Sequence, residues 1–202
     1  MPKHGRAETI KDACVEEAFR IIEADGLEAL SLREVARRIG VSHQAPYKHF
    51  PSRDHILAEV AARCYADFAR HLEARPQTAD DWDDLAGMGL AYLSYARENP
   101  LRYRLMFTST LPPAENHPDM MANAKHAFSL LCDRLSTMTL RSTDVEVDDP
   151  AKHDAIFIWS CLHGLVSLMQ SQATDTLALS PQDKNAAIAR LMARLSLALR
   201  PG

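Results

Sequence analysis

"SLREVARRIGVSHQAPYKHF", Ser31 to Phe50, is the stretch of sequence that decides the fold. Its first half has apolar residues at helical spacing and ends at Gly40, a residue suited to a helix C-terminus. Ser31 and Glu34 have the spacing of a capping box, in which hydroxyl and carboxylate each bond an otherwise free backbone amide. Two short helices joined by a glycine-containing turn form a helix-turn-helix. We therefore expect one helix from Ser31 to Ile39 and a second from Ser42 to about Phe50.

Pro46 lies inside the second of these helices, where a proline removes a backbone donor and crowds the preceding turn. If Ser42 caps the helix, Pro46 falls just past the first turn, where backbone amides already lack helical partners. We therefore expect a smaller cost than at mid-helix and a first turn that is wound more tightly or tilted.

The rest of the chain also has helical rather than strand-like patterning. No segment alternates with a period of two, and seven glycines in 202 residues are too few for a turn-rich β protein. We expect a first helix that ends at Asp25-Gly26, then further helices at about 51–73, 82–97, 100–107, 120–139, 151–172 and 188–199. The sequence predicts an all-α fold, with a small helix-turn-helix unit at 1–55 and a larger helical bundle at 56–202.

Charge is unevenly distributed along the chain. The formal net charge is −4, so there is no global basic footprint of the kind that many nucleic-acid binders have. Between Arg33 and Arg53, however, five cations stand against a single acid, Glu34. A plain helical hairpin remains the alternative, but a local excess of this size favours contact with phosphate groups.

Cysteines and apolar segments bear on the compartment. The four cysteines are far apart, so we expect small buried hydrophobic residues in a reducing compartment rather than a disulfide or metal framework. The longest apolar segment, 155–169, is interrupted by polar residues and falls short of the roughly 20 residues that a membrane span requires. We expect a cytoplasmic protein with no membrane partner.

The segment Ala29–Leu57 resembles the DNA-binding domain of the TetR family of transcriptional regulators. The family's hallmark is a tyrosine, one variable residue, a histidine and a large apolar residue, which Tyr47, Lys48, His49 and Phe50 match. The family usually has leucine or isoleucine at the position of Pro46. Further along, "NPLRYRLMF" and "WSCLHGLVSL" resemble a subgroup with a Trp…His-Gly signature in its C-terminal domain. The resemblance implies a three-helix helix-turn-helix domain followed by a bundle for ligand binding and dimerisation.

The resemblance and the side-chain chemistry together assign candidate roles at the DNA. His43 and Gln44 lie where base edges would be read, since glutamine can bond adenine through two hydrogen bonds. Ser31 and the first amides of its helix are expected at a phosphate. The remaining candidates are backbone contacts, with His49 also able to cap its helix. The full set is Ser31, Arg33, Ser42, His43, Gln44, Tyr47, Lys48, His49 and Arg53.

The bundle is expected to provide a dimer interface and an effector pocket. The segment 151–172 is apolar nearly all round, which is typical of a helix buried on every side. We expect the last two long helices to form a homodimer, with a large monomeric bundle as the alternative. Family members typically bind a small molecule here, and adaptable apolar side chains predict an apolar or aromatic effector. The pocket candidates are Met88, Tyr92, Tyr103, Met106, Phe107, Phe128, Trp159 and His163, although ordinary core packing is an alternative for each.

Two other classes of protein compete with a regulator. For an enzyme, "DDWDD" offers carboxylates, but no nucleophile and base accompany them, and Cys161 and His163, two residues apart, face different sides of a helix. An interaction module would not need the locally basic first unit. We therefore expect a ligand-responsive repressor that binds a palindromic DNA operator as a homodimer, with no catalytic site, metal or cofactor.

Overall fold

The computed structural model describes residues 4–107, 110–143 and 145–201; for residues 4–9, 173 and 175 it describes the backbone alone. Within these residues the regular structure is helical and no strand is present, which confirms the all-α prediction. The α-helices are α1 (His4–Asp25), α2 (Leu32–Ile39), α3 (Arg53–Glu73), α4 (Asp81–Glu98), α5 (Pro100–Phe107), α6 (Pro118–Ser136), α7 (Pro150–Gln170), α8 (Ala173–Thr176) and α9 (Pro181–Leu199). Short 3-10 helices cover Leu27–Ala29, Pro46–Lys48 and Ala114–Asn116.

The chain divides into two compact units. The first unit comprises Met1–Asp67 and Pro100–Lys125, and the second comprises Phe68–Asn99 and His126–Gly202. The first unit thus contains α5 and the start of α6 in addition to the helix-turn-helix segment. The expected division at residue 55 is one of function and stays a prediction.

The predicted α-helix from Ser42 to about Phe50 is wrong. The carbonyl of Ser42 accepts a hydrogen bond from the amide of Ala45 at 2.9 Å, which is the i,i+3 spacing of a tight turn, and a 3-10 helix follows at Pro46–Lys48. The physical reason is that Pro46 has no N–H with which to continue an α-helical ladder. The expectation of tighter winding at this point is therefore confirmed.

The first unit is held together by a core beneath the helix-turn-helix and by α5. Cys14, Val35 and Ile56 are fully buried, and Phe50 is almost so. The Tyr65 hydroxyl donates to the backbone carbonyl of Met106 at 2.6 Å. On α5, the guanidinium of Arg102 lies 4.7 Å from the centre of the Phe19 ring and 3.6 Å from Asp67. α5 is thereby attached to both α1 and α3.

The second unit packs α4 against α7 and α9. A Cβ added at Gly89 would lie 2.7 Å from Cε of Met192, so the absence of a side chain there allows α4 and α9 to approach closely. Asp84, buried on α4, accepts a hydrogen bond from Arg75 at 2.7 Å and lies 3.0 Å from Nε of Arg134. We call these three residues the Asp84 network; it ties the segment after α3 to α4 and α6.

Within the described residues, none of the helices combines the length and the apolar character that crossing a bilayer requires.

Candidate functional site

The beginning of α2 presents backbone donors to solvent. Ser31 is the N-cap: its backbone is extended, and its hydroxyl accepts a hydrogen bond from the amide of Glu34 at 3.2 Å. The second half of the predicted capping box is wrong, because the Glu34 carboxylate bonds to Arg37 and Arg38 instead. The first amides of a helix have no partner within the helix and attract anions. Ser31 and Arg33 are exposed beside them.

The arginines of α2 are not equivalent. Arg37 donates two hydrogen bonds to Glu34, at 2.8 and 2.6 Å, and Arg38 donates one to the same carboxylate at 2.7 Å and a further one to Asp25. These bonds lower the pKa of Glu34 to about 2, so the carboxylate stays charged at any working pH. Arg33 makes no ion pair within the described part of the chain. It is therefore the α2 cation that is most available to an external anion.

The turn after α2 displays a cluster of polar side chains. Gly40 closes α2 in the left-handed conformation, with φ of 71°, and the amide of Val41 bonds back to the carbonyl of Ala36 at 3.1 Å. Beyond it, Ser42, His43, Gln44, Tyr47 and Lys48 are exposed, and half of the Tyr47 surface, 49%, is open to solvent. Because these side chains lie within seven residues of a tight turn, they form one outward surface, which we call the recognition turn.

Pro46 holds the recognition turn from beneath. Its ring is among the most completely buried side chains, with less than 2% of its surface exposed. Its carbonyl accepts hydrogen bonds from the amides of both His49 and Phe50, each at 2.9 Å. The proline thus combines apolar anchoring with an acceptor that two amides share, and the nearby Gln44, Tyr47 and Lys48 side chains are exposed.

His49 and Arg53 are placed differently from the other predicted DNA residues. His49 is half-buried and lines a cleft of about 200 Å³ together with His55 and His117. Arg53 is also half-buried, and its guanidinium donates to the backbone carbonyls of Leu27 at 2.7 Å and Leu30 at 3.0 Å. Sequence reasoning missed these two bonds because they join residues more than twenty positions apart.

The predicted effector residues fall into two groups. In the second unit, the rings of Phe128 and Trp159 lie 6.0 Å apart, those of Trp159 and His163 lie 6.1 Å apart, and the Tyr92 hydroxyl is 3.5 Å from Nδ1 of His163. Burial lowers the pKa of His163, which favours a neutral imidazole. Met88 is buried in the same unit. We call Tyr92, Phe128, Trp159 and His163 the aromatic cluster.

The other predicted effector residues belong to α5 and hence to the first unit. Tyr103 and Phe107 have ring centres 4.9 Å apart, Phe107 also packs edge-on against Tyr65, and Met106 is buried. These contacts are those of a packed core.

Sequence reasoning missed an extension of the aromatic cluster on α3. The Phe68 ring packs against Tyr92 at 5.5 Å and against Tyr95 at 5.1 Å. His71 lies 5.4 Å from the Tyr95 ring and 3.0 Å, through Nε2, from the Ser94 hydroxyl. The spacing of Phe68 and His71, three residues apart on one helical face, is the signal that could have found them.

No group of three or more metal-ligating side chains with suitable geometry occurs among the described residues.

Two family models cover most of the chain. Residues 15–60 match a model described as "Bacterial regulatory proteins, tetR family", and residues 85–195 match one described as "Tetracyclin repressor-like, C-terminal domain". The second match alone extends over more than half of the chain. The chain belongs to the TetR family. It is a TetR-family transcriptional regulator with a helix-turn-helix DNA-binding domain.

Similar proteins support this assignment. The HTH-type transcriptional regulator Mb1846 of Mycobacterium bovis is 31% identical over 155 residues, which is 73% of this chain and 66% of that protein. The match thus spans slightly less than two thirds of the curated relative's length. An uncharacterized HTH-type transcriptional regulator of Mycobacterium tuberculosis, Rv0681, is 25% identical over 84% of this chain and 74% of its own.

A solved structure, that of the regulatory protein SCO4313, superimposes with a TM-score of 0.77 at 23% identity and covers 96% of this chain and 98% of its own. At that identity the likeness concerns the fold alone.

In this TetR-family chain, α7 and α9 leave large apolar side chains in solvent. Ile156, Phe157 and Leu168 on α7 are exposed, as is Leu197 on α9, with 71% of its surface open. The opposite side of α7 is buried in the second unit through residues that include Ile158. Both sides of α7 are therefore apolar, while the second unit covers only one of them.

Proposed function

We propose that this TetR-family regulator is a ligand-responsive repressor that binds a palindromic operator as a homodimer and is released by a small apolar or aromatic effector. The observation that carries the proposal is the recognition turn, a set of exposed polar side chains held by the buried Pro46. Because a repressor acts where the DNA is, the proposal includes a cytoplasmic location. That release from the operator leads to derepression is taken from the TetR family.

At the DNA, the proposal gives each exposed side chain a role. Gln44 and His43 read base edges, since a helix-turn-helix brings this element into the major groove. Tyr47, Lys48 and, on its exposed side, His49 hold the sugar-phosphate backbone, and Ser42 lies at the start of the turn. A second phosphate is bound by the hydroxyl of Ser31, the first amides of α2 and Arg33, which has no ion pair among the described residues.

The homodimer is proposed to form through the outer faces of α7 and α9. A single recognition turn reads few base pairs, and helix-turn-helix proteins reach useful specificity by binding two half-sites. Burial of apolar surface contributes roughly 25 cal/mol per Å², so Phe157 and Leu197, exposed in the single chain, would gain from pairing. Gly164 leaves space for a close approach, because a Cβ there would meet no atom within 4 Å.

The effector is proposed to bind at the aromatic cluster of the second unit. Apolar rings with a few polar groups are typical of small-molecule sites, and a neutral imidazole at His163 can both donate and accept a hydrogen bond. Tyr103, Met106 and Phe107 belong to the first unit, and for them ordinary core packing is the alternative to a place in the effector site. Release requires only that the effector favour one of two states of the dimer by about 1–3 kcal/mol. α3, which contributes residues to both units, is the proposed lever.

A gel-shift series tests the DNA-binding part of the proposal. Duplexes are first selected from a random pool by the purified chain. Tyr47→Ala should weaken binding to all selected duplexes, whereas Gln44→Ala should relax the preference at one base pair of each half-site. Equal affinity and selectivity in the wild type and both variants would contradict the assignment of the recognition turn.

Sedimentation velocity tests the dimer. Phe157→Glu should give monomers, because it places a charge in the proposed interface, whereas Val145→Glu, at a loop residue that is 69% exposed, should leave the dimer intact. A monomeric wild type would refute the interface.

Fluorescence tests the effector site. The chain has two tryptophans, so Trp82→Phe leaves Trp159 as the reporter within the aromatic cluster. An apolar compound that binds there should change the Trp159 emission, raise the melting temperature and reduce operator binding together. Compounds that release the operator without changing the Trp159 emission would place the site elsewhere.

A further inference from the structure

Arg53 is the first residue of α3, yet its guanidinium is bonded to the chain that precedes α2. Nε donates to the carbonyl of Leu30 at 3.0 Å, and a terminal nitrogen donates to the carbonyl of Leu27 at 2.7 Å. Two donors of one planar fork are therefore directed at two acceptors three residues apart, an arrangement that a guanidinium can satisfy and a lysine ammonium cannot reproduce.

The segment that Arg53 holds leads directly into the phosphate-facing end of α2. Leu27–Ala29 is a 3-10 helix, closed by a bond from the amide of Leu30 to the carbonyl of Leu27 at 3.2 Å. Leu30 is buried, and the next residue is Ser31, the N-cap of α2. The segment starts at Gly26, whose φ of 86° belongs to the region that favours glycine. Fixing the carbonyls of Leu27 and Leu30 therefore fixes the direction from which the chain enters α2.

We infer that Arg53 is a positioning residue for DNA binding: it orients Ser31 and the first amides of α2 toward a phosphate and makes no phosphate contact itself. This inference rests on the proposed function, which assigns the α2 N-terminus to the DNA. It agrees with the half-buried position of Arg53, whose Nε and one terminal nitrogen already donate to carbonyls within the chain.

The sharpest test is Arg53→Lys, measured by fluorescence anisotropy on a selected duplex over a range of salt concentrations. The variant keeps the charge but loses the two-pronged bond to Leu27 and Leu30. A positioning role predicts a loss of affinity of about tenfold per protomer, the equivalent of one charge-assisted hydrogen bond, with an unchanged salt slope. A phosphate contact instead predicts near wild-type affinity, because lysine retains the attraction.

Arg53→Gln and Arg33→Gln form a matched pair that removes one charge each. At the exposed Arg33, loss of a phosphate contact should make the logarithmic salt slope shallower by about 0.9 per protomer. At Arg53 the slope should stay unchanged while the affinity falls. The Arg53→Lys loss should also couple to Ser31→Ala: because both act on the same helix end, the double variant should lose less affinity than the product of the two single losses.

Folding is followed separately. Melting temperature and hydrogen exchange report whether each variant is folded at the temperature of the binding assay, and amides 27–33 should exchange faster in Arg53→Lys while those of α9 do not. Wild-type affinity in a folded Arg53→Lys, a shallower slope in Arg53→Gln, or multiplicative losses with Ser31→Ala would each overturn the inference. A wild type that binds no duplex would instead sink the proposed function.

Discussion

Lys48→Gln is the change whose effect on operator binding is best defined by the structure. Lys48 is exposed on the recognition turn and carries no ion pair among the described residues, so we expect its ammonium to displace a counterion from a phosphate when the chain binds DNA. Each phosphate that a cation neutralises contributes about −0.9 to the slope of log affinity against log salt concentration. The proposed homodimer would lose two such contacts, so the slope should become shallower by about 1.8. Between 50 and 200 mM salt, the fall in affinity should then be about twelvefold smaller than for the wild type.

Arg37→Gln is the matched control for this experiment. It removes the same charge eleven residues away, but its guanidinium is already bonded twice to Glu34. We therefore expect an unchanged salt slope, measured by anisotropy with the same duplex. If both variants lower the slope equally, the segment acts as diffuse positive charge, and the distinction between internally bonded and external cations is wrong.

Three further predictions concern stability. Asp84→Ala leaves the two arginines of the Asp84 network without their buried carboxylate and should lower the free energy of unfolding by about 3–5 kcal/mol, measured by urea denaturation. The exposed Asp83→Ala is the control and should cost less than about 1 kcal/mol. Equal costs would contradict the network. Burial lowers the pKa of His163, so the unfolded chain binds a proton at this side chain more readily than the folded chain does. The free energy of unfolding should therefore fall as the pH drops through about 6.5 and level off below the lowered pKa of the folded state. His163→Asn should remove this pH dependence from the melting temperature. Gly40→Ala places a residue with a Cβ in the left-handed conformation, at φ of 71°, and should destabilise the fold by about 1 kcal/mol. Gly87→Ala, in open space within α4, should stabilise the fold slightly. The reverse order of melting temperatures would refute the backbone argument.

The helices could be predicted because their signals are local. Periodicity, the serine before α2 and the glycines after α1 and α2 lie within a few residues of the boundaries that they determine. The 3-10 turn at Pro46 was only partly predictable. The missing donor is visible in the sequence, but the burial of the proline ring depends on the core beneath it.

The hydrogen-bond partners of the arginines could not be predicted, because those partners are distant in sequence or compete with one another. Arg38 meets Asp25 across thirteen residues, and Arg53 meets Leu27 across twenty-six. The Glu34 carboxylate could bond either the backbone amide of a capping box or two nearby guanidiniums. It bonds the guanidiniums, because charge-assisted hydrogen bonds are the stronger ones. Counting five cations in this segment therefore overstates the charge that has no partner within the chain.

The difference between arginines with and without partners in the chain also bears on how a chain with a net charge of −4 would bind DNA. Arg37, Arg38 and Arg53 each bond to partners within the chain, whereas Arg33 and Lys48 make no ion pair among the described residues. A surface with few external cations binds random duplex weakly, because non-specific affinity is almost entirely a matter of phosphate neutralisation. We therefore expect discrimination to depend on the placement of a few polar side chains, to which the buried Pro46 and the bonds of Arg53 to Leu27 and Leu30 contribute.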